Sequence, residues 1–176
     1  MGLAWREAEI SKGHADLLEL GELRYDGPNA TSLRSKWGTY TFPSFEWPID
    51  EQFFPRCLFN LETAVVLFLG DHSSIIVRCS PSEAVCEESD VLVRSEDDDL
   101  RFMSIERLAD SRLLFLYELG ILLVDGFGRT TWHRLHQDIS ARLLDVTTDA
   151  VTIESQWPSE LAGNRLSYRL RDGSEV

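Results

Sequence analysis

The last third of the chain alternates. In "AVTIESQW", Val151, Ile153 and Trp157 alternate with Thr152, Glu154 and Gln156, and in "RLSYRLRDG", Leu166, Tyr168 and Leu170 alternate with Ser167, Arg169 and Arg171. A period of two places apolar side chains on one face of an extended chain and polar ones on the other, which is the pattern of a half-buried strand. The intervening "TTDA" and "WPSELAGN" carry the small, polar and proline residues of turns and connections. This region reads as an antiparallel meander.

The middle of the chain repeats the theme with greasier runs. "ETAVVLFLGDHSSIIVRCS" is two β-branched runs around Gly70-Asp71-His72-Ser73, a hairpin pattern, and "DVLVRS" adds a further strand. "ADLLELGELRYDGPNATS" reads as one or two strands ending in a turn at Asp26-Gly27-Pro28. Between Ser104 and Leu119 two readings compete. Ile105, Leu108, Leu113 and Leu116 fall near helical spacing, with Gly120 as a stop. The alternative sets strands at Arg112 to Glu118 and Gly120 to Asp125, then a turn into Thr130 to Leu135. Asp125-Gly126-Phe127-Gly128 favours the strands, because glycine reaches positive φ without steric cost. A short helix around Ser104 to Asp110 is compatible with them. The expected fold is mainly β: residues 1–176 form a single-domain antiparallel sandwich or partly open barrel of about eight to ten strands.

"GILLVDGFGRTTW" resembles the strand, turn and strand phrase of propeller-type repeats. It occurs once, and no second copy stands at a period of 40 to 50 residues. The resemblance therefore implies a hairpin at this place and no family.

Charge separates this chain from an average domain. Thirty Asp and Glu against seventeen Lys and Arg give a formal net charge of -13, a field that repels phosphate backbones and attracts basic surfaces. Nucleic acid is excluded as a direct ligand on that ground. The excess concentrates in "EAVCEESDVLVRSEDDD", where eight acids from Glu83 to Asp99 face the single base Arg94. Glu87, Glu88, Asp90, Glu96, Asp97, Asp98 and Asp99 are the candidate contact residues for a basic protein partner. The run does not fit a calcium loop, which needs alternate oxygens, a central glycine and a distal glutamate.

Chemical motifs are sparse. His133 and His136 in "GRTTWHRLHQDIS" stand three apart, so on a strand they point to opposite faces and do not share a metal. "GFGRTT" lacks the third glycine of a dinucleotide loop. There is no phosphate-binding loop, nucleophile elbow or His-Glu-x-x-His motif. No catalytic residue, metal or other cofactor is expected. The three cysteines, Cys57, Cys79 and Cys86, have no Cys-x-x-Cys spacing and read as reduced thiols, with Cys57 and Cys79 packed as small hydrophobes in apolar stretches. The N-terminal "MGLAWREAEI" has no secretory signature, and the greasy run Leu113 to Val124 is too short to span a bilayer. A cytoplasmic, unanchored protein is the expectation.

The leading functional reading is a non-enzymatic interaction module of the immunity or inhibitor-like kind, binding a basic partner through its acidic face. The alternative is a small-ligand-binding or enzymatic β-barrel. It would draw its pocket from the aromatic stretch Trp37 to Phe54, with Trp37, Tyr40, Phe45 and Trp47 as lining and His136 with Asp138 as polar groups.

Overall fold

The computed structural model describes residues 4–11, 13–25, 31–41, 56–69, 74–80, 82, 85–89, 102–117, 120–135, 140–158 and 160–176. After β1 (Trp5–Ala8), strands β2 (Ile10–Ser11), β3 (His14–Asp16), β4 (Gly21–Tyr25), β5 (Thr31–Ser35) and β6 (Gly38–Thr41) make a first sheet in chain order. A second sheet holds β7 (Arg56–Asn60), β8 (Val65–Leu69), β9 (Ser74–Ser80) and β10 (Val85–Ser89), with β1 added beside β7. Strands β11 (Phe102–Arg107), β12 (Leu113–Tyr117), β13 (Gly120–Val124) and β14 (Thr130–Leu135) form the third. The fourth comprises β15 (Ser140–Val146), β16 (Ala150–Trp157) and β17 (Arg165–Arg169). All pairings are antiparallel, and none of the sheets closes into a barrel.

Side-chain parity stacks these sheets into a layered sandwich. Along β8, Val66 and Phe68 enter a cluster shared with Leu17, Leu20, Leu23 and Leu33 of the first sheet. Val65, Leu67 and Leu69 enter a second cluster with Leu113, Phe115 and Tyr117 of the third sheet. Leu114 and Leu116, on the other face of β12, meet Val151, Ile153 and Tyr168 of the fourth. The two inner sheets are thus buried on both faces, which is why β8, β12 and β13 read as unbroken apolar runs. Each fully buried leucine contributes about 1.5–3 kcal/mol relative to exposure.

The outer faces of the end sheets are polar. On the first sheet Glu22 lies 2.8 Å from Arg24 Nε and 4.0 Å from Arg34. On the fourth, Glu154 accepts from Arg142 Nε at 2.9 Å and lies 3.6 Å from Arg165. An apolar face there would call for another layer, and these charged groups remain solvated instead.

Inter-sheet hydrogen bonds fasten turns onto neighbouring layers. Asp125 Oδ1 accepts from the Phe127 and Arg129 amides and shapes the β13–β14 turn. Gly126 O in that turn then accepts from Asn60 Nδ2 at 3.2 Å and Thr63 Oγ1 at 2.6 Å in the second sheet. The "DGFG" phrase therefore builds both a hairpin tip, as expected, and a clamp between sheets.

Several expectations change. Seventeen strands occur among the described residues, against eight to ten expected, and no helix. The short helix around Ser104 to Asp110 is instead β11 and a tight turn in which the Ser111 amide bonds Leu108 O. Its helical spacing arises because Ile105 and Leu108 pack into different clusters on opposite faces of the third sheet. Within the aromatic stretch Trp37 to Phe54, Gly38–Thr41 form a strand paired with β5, and residues 42 to 54 lie outside the described residues. The "DVLVRS" strand and the turns at Asp26-Gly27-Pro28 and Gly70 to Ser73 lie outside the described residues.

The cysteines divide. Cys57 is free and fully buried, and burial pushes its thiol up to about 12. Cys79 is disulfide-bonded, against the expectation of reduced thiols. The β9–β10 register, which sequence spacing does not disclose, places the Cys86 backbone directly opposite Cys79.

A structural recurrence also emerges that no sequence copy announces. The first strands of the successive meanders begin at residues 10, 56, 102 and 140, so the intervals are 46, 46 and 38 residues. What recurs is a meander that buries apolar faces against its neighbours, and many apolar sequences satisfy that requirement.

Candidate functional site

The acidic stretch begins on β10, an edge strand of the second sheet. Glu87 stands opposite Arg78 and Glu88 opposite Val77 in the backbone register. Asp90 and Glu96 to Asp99 lie outside the described residues, as do Phe45, Trp47, His136 and Asp138. Trp37 and Tyr40, expected as pocket lining, pack against the first core cluster. The Lys36 ammonium sits 4.8 Å from the Trp37 ring centroid, a cation–π contact that covers the outer part of the indole.

The distribution of charge is uneven in a way that bears on function. Among residues whose side chains are described, fourteen Lys and Arg stand against fifteen Asp and Glu, a net of -1. The full chain carries -13, so -12 belongs to the remaining residues, which hold three bases and fifteen acids. The described side chains are thus close to electroneutral as a set, and Glu83 to Asp99 alone carries -7, over half of the chain's excess.

His133 has a specific partner. The Tyr117 hydroxyl and His133 Nε2 are hydrogen-bonded across the third sheet. Burial, then the Arg134 charge, holds the imidazole below its ordinary 6.5, and burial pushes the Tyr117 hydroxyl up to about 12. Both groups are therefore neutral at neutral pH, an arrangement that suits a structural bond. Its pH consequence follows from linkage. The unfolded chain takes up a proton at His133 as pH falls through about 6.5, where the folded chain does not, so acid favours unfolding. Urea midpoints measured from pH 8 to pH 5.5 should fall more steeply for the native chain than for His133→Gln. Parallel curves would show that His133 remains as easily protonated in the fold as outside it.

No family model, no curated protein and no solved structure matches this chain. The functional reading therefore rests on the residues themselves. Among the described residues, no group of three His, Cys, Asp or Glu stands close enough to hold a metal ion. No helix of the described residues is long and apolar enough to cross a membrane.

Sequence reasoning missed a second region. At the end of the fourth sheet, Arg112, Arg169 and Arg171 line an open cleft of about 740 Å³ with Thr148 and Asp149. Arg112 lies 2.6 Å from Asp110 and donates at 2.7 Å to Leu170 O, a carbonyl that also accepts from Trp132 Nε1. The cleft walls are two tight turns. Thr147 Oγ1 accepts from the Asp149 and Ala150 amides, and Asp172 Oδ1 accepts from the Ser174 amide and hydroxyl. A pair 58 residues apart, such as Arg112 and Leu170, leaves no local signature in sequence. The recurring Asp and Thr turn phrases were the one legible hint.

Proposed function

We propose that the chain is a non-enzymatic interaction module that binds a basic protein partner through the acidic segment beginning on β10. One observation carries the reading: Glu83 to Asp99 carries -7 of the chain's -13, while the described side chains together carry -1, so this segment is the densest source of the molecule's field. A concentrated field of one sign raises encounter rates with an opposite surface, while contributing little to the stability of the frame that carries it. An edge strand is a fitting base for such a segment, because edge charges also discourage unwanted strand pairing. Glu87, Glu88, Asp90 and Glu96 to Asp99 are the contact residues of the proposal.

The proposed setting is the cytoplasm. The disulfide at Cys79 weighs against that placement, since structural disulfides persist mainly in oxidising compartments, and fractionation of the source cells decides it.

The test begins with capture of partners on the immobilised chain and continues with association kinetics. With Asp97, Asp98 and Asp99 changed to Asn, the on-rate for a captured basic protein should fall about 3- to 10-fold at low salt. At 0.5 M salt the two chains should converge, because screening removes the same field. The urea midpoint should stay where it was. An unchanged on-rate at low salt returns this segment to the role of a solvated loop.

A further inference from the structure

The arginine-lined cleft lies apart from the acidic segment and has no part in the proposal above. Its charges are not equally available. Arg112 is committed to Asp110 and to Leu170 O, so it serves as the floor that pins the turn after β17. Arg171 pairs with Asp172 at 3.1 Å through Nε alone, which leaves the rest of its exposed guanidinium open to solvent. Among the described residues Arg169 has no ion-pair partner, and its one side-chain hydrogen bond there runs from Nη1 to Ser174 Oγ at 3.2 Å.

We propose that this cleft binds a small dianion, with its oxygens held by the free N–H groups of Arg169 and Arg171 and by the Thr148 hydroxyl. Guanidinium forks match the spacing of carboxylate and phosphate oxygens and bind them in pairs. Small-ligand clefts span roughly 300–1,000 Å³, and the volume here falls within that range. The walls are preorganised. The 147–150 turn is held by Thr147 Oγ1 and the 169–174 turn by Asp172, and Leu170 N bonds Asp149 O at 2.7 Å across them. A ligand therefore meets a site whose backbone is already ordered. Asp149 is the one acidic side chain among the lining residues, which also include Val176, and its carboxylate opposes any anion that the arginines attract.

Phosphate and dicarboxylate share the required chemistry, and separate titrations with inorganic phosphate and with glutarate tell them apart. In amide-shift titrations at low ionic strength, one of the two should give saturable shifts at Thr148, Ala150 and Arg171. Arg169→Gln with Arg171→Gln should weaken that binding at least tenfold. Arg142→Gln with Arg165→Gln, an equal loss of charge on the outer face of the fourth sheet, should leave it within twofold. Thermal midpoints of the two double variants establish that both remain folded. Absence of saturable shifts with either anion overturns the proposal, and so does an equal loss in both variants, which would mean that only net charge is being read. Neither result touches the acidic-segment reading, whose variants lie elsewhere in the chain.

Discussion

Replacing Trp5 by alanine lowers the unfolding free energy by about 4 kcal/mol, at the level of a large aromatic truncation in a well-packed interior. Trp5 is 1% exposed, although it stands on the short edge strand β1. It enters the central cluster between the second and third sheets, and its Nε1 donates at 2.7 Å to Ser111 O in the β11–β12 turn. The substitution removes packing and leaves a carbonyl short of a donor. Trp5→Phe separates the two, since it keeps a ring in the site but no N–H, and should cost about 1–2 kcal/mol. Urea unfolding followed by far-ultraviolet circular dichroism measures both without relying on the emission of the other tryptophans. A loss below 1.5 kcal/mol for the alanine variant would mean that β1 is not fastened to the third sheet in this way.

Gly120→Ala should cost about 2–3 kcal/mol for the opposite reason, overfilling. A Cβ at this position would stand 2.6 Å from Arg134 O and in contact with the Tyr117 hydroxyl and ring. The carbonyl belongs to the β13–β14 ladder, and the phenol is held by His133, so neither gives way easily. Adding Tyr117→Phe removes the hydroxyl contact and leaves the ring carbon at 2.7 Å. The double variant should therefore be more stable than the sum of the single losses predicts, by about 0.5–1 kcal/mol. Simple additivity would place the clash at the carbonyl and the ring.

The legible and illegible parts of this fold differ by how many faces of a sheet are buried. The fourth sheet has one face in water, so Val151 and Ile153 alternate with Thr152 and Glu154 and the meander is plain from sequence. Leu113 to Tyr117 is buried on both faces, so its period vanishes, and only the "DGFG" turn argued for strands there. The edge strand β1 was missed for a third reason. "WREA" buries only its first and last residues, and its anchor is a tryptophan that reaches a different sheet.

Of the candidate sites, the acidic segment was visible because charge is additive along a chain. The arginine cleft was not, because Arg112 and Arg171 become neighbours only after the third and fourth sheets stack. The disulfide at Cys79 was hidden likewise, since it depends on the β9–β10 register and not on spacing.

Each layer is a nearly contiguous piece of chain, so a change in the length of such a protein is most easily tolerated as a whole sheet, in steps of about the 38 to 46 residues seen here. An inserted sheet needs two apolar faces to lie between existing layers. A sheet added at either end would have to displace the carboxylate of Glu22 or of Glu154 from its arginines and desolvate all of them. Among the described residues those two glutamates close the outer faces of the four layers, and a relative with a further sheet packed on one of these faces should have lost the corresponding glutamate.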